Sequence, residues 1–380
     1  MDFSFTSEQL ALQKMVADFT KKEIAPIAQE CDKSGEFPME IYKKYAEMGL
    51  HCPLVPEEYD GAGLDMVSTV IVTEEISKGC AGFASAIAAL ELACSPVIAA
   101  GTPQQKEDYF APLAAGGMAS FCLTEPNAGS DAGSVQTRAV REGDEYIISG
   151  NKRFITNARF ADRYTVIAKV NEEKGTRGLA AFIVEGDRPG ITVGKAEDKL
   201  GIRCSDTSEI SFDNVRIPVS NLLGAEGDGF KLAMGALDAG RVLCAAMSLG
   251  VAQCALDHAV EYSQQRVQFG KPICANQSMQ FTLADMATEI EAARQLTYYS
   301  AYLMDQHAPN AVKVASMAKT FASDVAMKVT VDAVQVYGGC GYVRDYPMEK
   351  LMRDAKIMQI IEGTNQVQRI VIAKNLLAGV

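Results

Sequence analysis

Apolar positions recur along this chain with three successive spacings. Up to about residue 117 the spacing is helical. After Thr6-Ser7-Glu8-Gln9, which has the Thr-x-x-Gln form of a capping box, Leu12, Met15, Val16 and Phe19 fall on one helix face. The turn-rich stretch Pro56-Glu57-Glu58-Tyr59-Asp60-Gly61-Ala62-Gly63 separates these first helices from an Ala-rich one around Phe83 to Ala100. Between about 118 and 230 the period falls to two: Tyr146-Ile147-Ile148, Tyr164 to Ala168, Ala181 to Val184 and Glu209 to Asp213 are short β-rich runs separated by turn residues. From about 231 the helical spacing returns, broken at Pro272, Pro309, Gly338-Gly339-Cys340-Gly341 and Pro347. The unbroken segments there are more than twice the average globular helix of about 11 to 12 residues, which predicts long helices packed as a bundle. The pattern thus predicts an α+β chain with a helical region at 1–117, an antiparallel β domain at 118–230 and a helical bundle at 231–380. No internal repeat or low-complexity tract interrupts it.

Composition narrows the function classes. The chain has 380 residues, 48% of them apolar, no tryptophan, and 36 basic against 48 acidic side chains, a formal net charge of −12. That balance, with no basic cluster, argues against nucleic acid or an anionic membrane surface as the main partner. The start, Met1-Asp2-Phe3-Ser4-Phe5, lacks the basic-then-apolar layout of a signal peptide, and no uninterrupted apolar run is long enough to span a bilayer. A cytoplasmic protein is expected. The ten cysteines lie scattered, none as Cys-x-x-Cys, and read as reduced core thiols. With only His51, His258 and His307, histidine-based metal or triad chemistry is disfavoured, and no metal site is expected.

Three glycine-bearing breaks fall where helices start or end: Thr124 to Asp131, Gly338 to Tyr342, and Glu362-Gly363-Thr364-Asn365. Backbone N–H groups freed at such points bind phosphate or carbonyl oxygen, yet each break alone is more often just a turn. Glu362 follows the apolar run Ile357 to Ile361 and precedes Thr364, a plausible N-cap for the last helix. A carboxylate held at such a junction is desolvated and its pKa rises toward that of a general base. On residues alone, one surface acid among many is the favoured reading.

Five separated blocks together say more. Leu123-Thr124-Glu125-Pro126-Asn127-Ala128-Gly129-Ser130-Asp131, Arg266 to Pro272, Gln335 to Tyr342, Arg353-Asp354-Ala355-Lys356 and Glu362 to Arg369 resemble, in order and spacing, the acyl-CoA dehydrogenases. Leu237 to Arg241 and Leu283-Ala284-Asp285-Met286 are most similar to the butyryl-CoA, or short-chain, type. The resemblance implies an N-terminal helical domain, a middle β domain and a C-terminal four-helix bundle, assembled as a tetramer of two dimers.

It also implies FAD. Phe121, Leu123, Thr124, Gly129 and Ser130 match positions along the isoalloxazine, and Phe154, Ile155 and Thr156 match those covering its other side. Many relatives carry Trp at position 154; butyryl-type ones often have Phe. Arg266, Gln268, Phe269, Gln277, Gln335, Gly338 and Gly339 match contacts to the pyrophosphate and adenosine, which the family draws from a neighbouring subunit. Thr364 and Gln366 complete that set. Ser130, Asp238, Arg241 and Gly363 match positions at the acyl-CoA substrate, and Glu362 matches the catalytic base. A minority of relatives place the base at the position of Gly240, where glycine has no such capacity.

Two departures bear on the acyl group. Ile361 stands where relatives commonly have Tyr, and the helix expected to floor the acyl pocket, Ala84 to Leu92, carries Glu91. Glu91 then either faces another helix or solvent, or gives a roomier pocket a polar end suited to aromatic, hydroxylated or amino-bearing acyl groups. The expected activity is FAD-dependent α,β-dehydrogenation of a short-chain or related acyl-CoA, with electrons passed to an electron-transferring flavoprotein. The same chemistry run backwards, as an enoyl-CoA reductase in complex with that flavoprotein, and a non-catalytic flavin or acyl-CoA binding subunit are the alternatives.

Overall fold

The computed structural model describes residues 4–379; Met1 to Phe3, part of the stretch read for a leader, lie outside them. Helix α1 (Ser7–Phe19) opens on the capping box read from the sequence, with Thr6 Oγ1 accepting from Gln9 N–H at 3.2 Å and Gln9 Oε1 accepting from Thr6 N–H at 3.1 Å. There follow α2 (Ala28–Ser34), α3 (Met39–Glu47), α4 (Met66–Gly79), α5 (Ala81–Ala100) and α6 (Pro103–Ala114). A second capping box, Thr102 with Gln105, starts α6.

Eight strands then form one sheet: β1 (Met118–Cys122), β2 (Arg138–Glu142), β3 (Glu145–Thr156), β4 (Ala161–Lys169), β5 (Leu179–Glu185), β6 (Ile191–Val193), β7 (Thr207–Pro218) and β8 (Leu222–Leu223). Their order is β6-β7-β3-β2-β4-β5-β8, with β1 on β4. The antiparallel expectation holds for β2–β3, β3–β7, β4–β5, β5–β8 and β6–β7 but fails at β1, which runs parallel to β4 with Phe121 opposite Thr165. A further parallel bridge joins β2 to β4 at Arg138 and Lys169. A period of two announces a strand without its direction. The β1–β4 connection instead encloses the β2–β3 hairpin, which lets both strands run the same way.

The bundle consists of α7 (Gly229–Gln265), α8 (Gln277–Asp305), α9 (Ala311–Tyr337) and α10 (Met348–Met358), with α11 (Asn365–Leu377) laid against α9 as a fifth helix. A short hairpin, β9 (Val267–Gln268) with β10 (Lys271–Pro272), links α7 to α8. Two of these helices, α5 and α7, are long and apolar enough to cross a membrane, but 72% and 83% of their most apolar windows are buried inside the fold. They are the shared core of the molecule, because α4 and α5 pack against α7 and join the N-terminal helices to the bundle.

The Arg353-Asp354 block fastens all three regions at one point. Arg353 reaches both carboxylate oxygens of Asp32 on α2, at 3.0 and 2.6 Å, and the carbonyl of Leu200 at 2.9 Å, while Asp354 accepts from Ile202 N–H at 2.6 Å and from Lys350 at 2.6 Å. From this junction α10 leads directly to the turn that carries Glu362.

Candidate active site

Glu362 and Gly363 connect α10 to α11, and both are left-handed, with φ of 56° and 84°. For glutamate this conformation costs on the order of 1 kcal/mol and persists only where surrounding bonds impose it. Gln368 Nε2 donates to the carbonyls of Glu362 at 2.7 Å and Gly363 at 3.0 Å, and Lys319 Nζ on α9 donates to Gly363 O at 2.9 Å. Thr364 caps α11, accepting from Val367 N–H at 3.3 Å, as its place in the sequence suggested.

The bend delivers the Glu362 carboxylate onto α7. Its Oε2 is shut off from solvent and has no hydrogen-bond partner. Gly240 makes the room: a Cβ there would stand 2.5 Å from Oε2 and 2.9 Å from Leu92 Cδ2 on α5. Position 240 and the carboxylate therefore compete for one space. Gly240→Ala is expected to displace the carboxylate and cut turnover about 10²-fold, the usual consequence of a misplacement near 1 Å, with FAD content unchanged. Steady-state kinetics on flavin-saturated variant would refute this if kcat stayed at the parent value.

Burial pushes the Glu362 carboxyl up to about 7, against the opposing pull of Arg241 and Lys319. A base that ionises near neutral pH combines the correct protonation state with useful basicity. Arg241 is itself buried and ion-paired to Asp238 one turn back on α7, and its Nε has no partner. Glu362, Gly363, Asp238 and Arg241 thus lie together, with two orphaned polar atoms among them.

Glu91 does not join them. Leu92 is the α5 side chain beside Gly240, and Glu91 is turned about 100° away on the helix. It is only 2% exposed, its Oε1 accepts from Leu54 N–H at 3.4 Å, its Oε2 is unpartnered, and Tyr45 and Cys52 lie near it. Burial holds this carboxyl well above the usual range. Of the two readings of Glu91, the one facing another helix matches this placement.

A second group gathers where β1 and β3 end. Arg153 N–H donates to Thr124 O at 2.8 Å, so Phe121 to Thr124 and Phe154 to Thr156 are adjacent segments. Asn157 Nδ2 donates to Ala86 O at 2.8 Å and anchors this wall to α5, the helix that carries Leu92. Phe154 is left-handed, at φ 57°, with its ring 55% exposed under the Arg153 guanidinium; Ile155 is buried. Gly129 is open, a Cβ there meeting nothing within 4 Å, and Ser130 is exposed beside it.

A third group lies elsewhere. Arg266, Gln268 and Phe269 are on the β9–β10 hairpin, and Gln335, Gly338 and Gly339 end α9; Tyr262 on α7 stacks on Tyr337 at 4.0 Å, so both belong to one end of the bundle. Gln335 is sixteen residues beyond Lys319 on α9, about 24 Å at 1.5 Å per residue. Phe269, at 97% exposure, and Gln277 are both exposed. The structure does not bring this set, or the exposed Gln366, to the wall formed by β1 and β3 within one subunit.

Sequence reasoning missed three buried charged residues that hold these parts. Lys152 Nζ, fully buried, donates to Leu123 O at 3.1 Å, Ile167 O at 2.7 Å and Glu125 Oε1 at 2.8 Å, while Glu125 accepts from Gln136 N–H at 2.6 Å and Thr137 N–H at 3.0 Å. Burial alone would raise the Glu125 carboxyl, but Lys152 and these amides outweigh it and hold it below the ordinary range. Lys319 is the third. The signal was phase: Lys152 falls on the inward positions of β3, with Tyr146 and Ile148, and Lys319 on the small-residue face of α9, with Ala315, Ser316, Ala322 and Ser323.

The exposed Phe154 next to the Thr124 segment, with open backbone at Gly129, suits a flavin, and the desolvated carboxylate beside α7 suits a thioester; the open backbone at Gly338 and Gly339 belongs to the separate set at the end of α9. These domains around such a site define a flavin-dependent dehydrogenase. Profiles of the acyl-CoA dehydrogenase N-terminal, middle and C-terminal domains match residues 6–117, 120–215 and 227–377. An acyl-CoA dehydrogenase of Bacillus subtilis (strain 168) is 50% identical over 376 residues, 98% of this chain and 99% of that protein. The butyryl-CoA dehydrogenase structure from Megasphaera elsdenii superposes with a TM-score of 0.96 at 46% identity, covering 99% of this chain and all of that one. A chain from a structure concerned with the electron transferring flavoprotein of Acidaminococcus fermentans and flavin-based electron bifurcation gives 0.97 at 48%, with the same coverage. The chain belongs to the acyl-CoA dehydrogenase family and is an FAD-dependent oxidoreductase.

Proposed function

We propose that this protein oxidises a short-chain or related acyl-CoA to the trans-2-enoyl-CoA and passes the electrons to an electron-transferring flavoprotein. The observation that carries the reading is the Glu362 carboxyl: its Oε2 is shut off from solvent and unpartnered, it is raised to about 7, and it faces Gly240 beside Arg241. In this reading Glu362 takes the α-proton of the thioester. The N–H of the left-handed Glu362 turn polarises the thioester carbonyl, making that proton acidic enough to leave. The chemistry that bound FAD supplies is acceptance of the β-hydrogen with its bonding electrons. Phe121, Leu123, Thr124, Gly129, Phe154, Ile155 and Thr156 hold the isoalloxazine and shield it from water, with Thr364 nearby. Ser130, Asp238, Arg241 and Gly363 orient the CoA thioester.

Arg266, Gln268, Phe269, Gln277, Gln335, Gly338, Gly339 and Gln366 serve the adenosine half of a neighbouring subunit's FAD, in a homotetramer built as two dimers. The exposure of Phe269 and Phe281, and the roughly 24 Å along α9 that separates this set from the base, support that assignment.

The reverse direction, reduction of an enoyl-CoA in complex with the flavoprotein, is the second reading; the bifurcation-related structural relative favours it. A substrate panel of butyryl-, cinnamoyl- and amino-acyl-CoA, followed by bleaching of the flavin, is expected to show bleaching by short-chain acyl-CoA, with an acid limb near pH 7. Bleaching by none of them would overturn the dehydrogenase reading and favour a non-catalytic binding subunit.

A further inference from the structure

Lys319 is a lysine with no exposure, set in a helix face of alanines and serines. Both acceptors of its Nζ are neutral: the carbonyl of Gly363 at 2.9 Å and the carboxamide of Asn365 at 2.8 Å. Asn365 is locked in turn, donating to Ser323 Oγ at 2.9 Å and Asp324 Oδ1 at 2.8 Å, while Gln359 holds Asp324 from the other side of the turn at 2.7 Å. The ammonium is therefore fixed under the left-handed bend by groups that do not neutralise it. The charged and titratable groups around it are Cys244 and Arg241 on α7, Asp324 on its own helix and Glu362 on the turn. Arg241 has Asp238 as partner, and Asp324 pairs with Arg369. Among the described residues around this bend, neither Lys319 nor Glu362 has an ion-pair partner, and Glu362 Oε2 has no hydrogen-bond partner.

We propose that Lys319 is the positioning residue of the catalytic base, fixing the Glu362–Gly363 turn through the Gly363 carbonyl and supplying the buried positive charge against which Glu362 ionises. This goes beyond the assignment of Glu362 and rests on it. An interior cation close to a carboxyl favours its charged form. Lys319 thereby limits how far burial raises the base, consistent with a carboxyl near 7 and not far above it. Removing the charge while keeping a donor to Gly363 O separates the two roles.

The test compares Lys319→Gln, Lys319→Met and Glu362→Gln with the parent holoenzyme, using the pH profile of kcat/KM for butyryl-CoA. Carboxyl infrared difference spectra of the same proteins without substrate give a readout independent of turnover. In both Lys319 variants the acid limb, and the infrared band that Glu362→Gln abolishes, are expected to move up by roughly 1 pH unit. Turnover on the high-pH plateau should fall further in Lys319→Met, which also loses the donor. An unmoved limb and band in Lys319→Gln, with Glu362→Gln inactive, overturns the proposal while leaving the base in place. A fully active Glu362→Gln overturns the base assignment instead. Failure of both Lys319 variants to yield folded holoenzyme would assign the lysine to the fold alone and overturns the proposal too.

Discussion

Glu362→Gln is expected to lower kcat/KM for the thioester by about 10² to 10⁴-fold, the range that a positioned general base contributes, while FAD content and thioester binding stay near those of the parent. The substitution keeps shape, so the Gly240 recess stays filled and the carbonyl of residue 362 still accepts from Gln368. Only the proton acceptor is lost. Binding is read from the shift that acyl-CoA induces in the flavin spectrum, and turnover from dye reduction; near-normal turnover would end the assignment of the base. The same variant has a stability signature. The carboxyl is raised to about 7 in the fold, from 4.5. A raised group contributes most to folding below its unfolded pKa and loses that contribution as pH climbs through the folded one. Between about 4.5 and 7 the parent therefore surrenders roughly 3 kcal/mol that glutamine, which does not ionise, retains. Glu362→Gln should melt above the parent at pH 8, and the difference should close toward pH 4.5. A difference that is flat with pH would mean the carboxylate is solvated in solution.

How much of this was legible in the sequence depended on whether the signal was local. The capping box at Thr6, the cap at Thr364, the strands around Tyr146 and Tyr164 and the helix over Phe83 to Ala100 are written in neighbouring residues, and the structure places them there. The direction of β1 is set by a partner some forty residues away and leaves no mark on its own pattern. The same holds at the site. On its local pattern Glu362 read as one surface acid among many; the family resemblance named it as the base, and its recess depends on a glycine over a hundred residues earlier. Its charge environment depends on a lysine of α9 that reads as ordinary until the inward face of that helix is known. Glu91 shows the same limit: the sequence left a helix-facing and a pocket-facing reading open, and the rotation along α5 that sets it apart from Leu92 leaves no mark on its neighbours.

Lys152→Met is expected to cost about 3 to 5 kcal/mol of stability, because it leaves Glu125 buried without its cation, and to release FAD before the rest of the chain unfolds. The location of the pair explains the order. Lys152 ties the carbonyl of Leu123 on one side and that of Ile167 on β4 on the other, and Glu125 holds the amides of Gln136 and Thr137. The segment between those anchors, Thr124 to Ser130, is the one assigned to the flavin. Apolar replacement of both partners, Lys152→Met with Glu125→Leu, removes the stranded charge, so it should recover part of the lost melting temperature. It does not restore the bonds to Leu123, Gln136 and Thr137, so flavin affinity, followed by fluorescence of released FAD on dilution, should stay low. Parallel recovery of melting temperature and flavin affinity would show that the pair serves stability alone. Recovery of the first without the second would show that its charges are kept to shape the flavin wall, at a site where an apolar core would have been at least as stable.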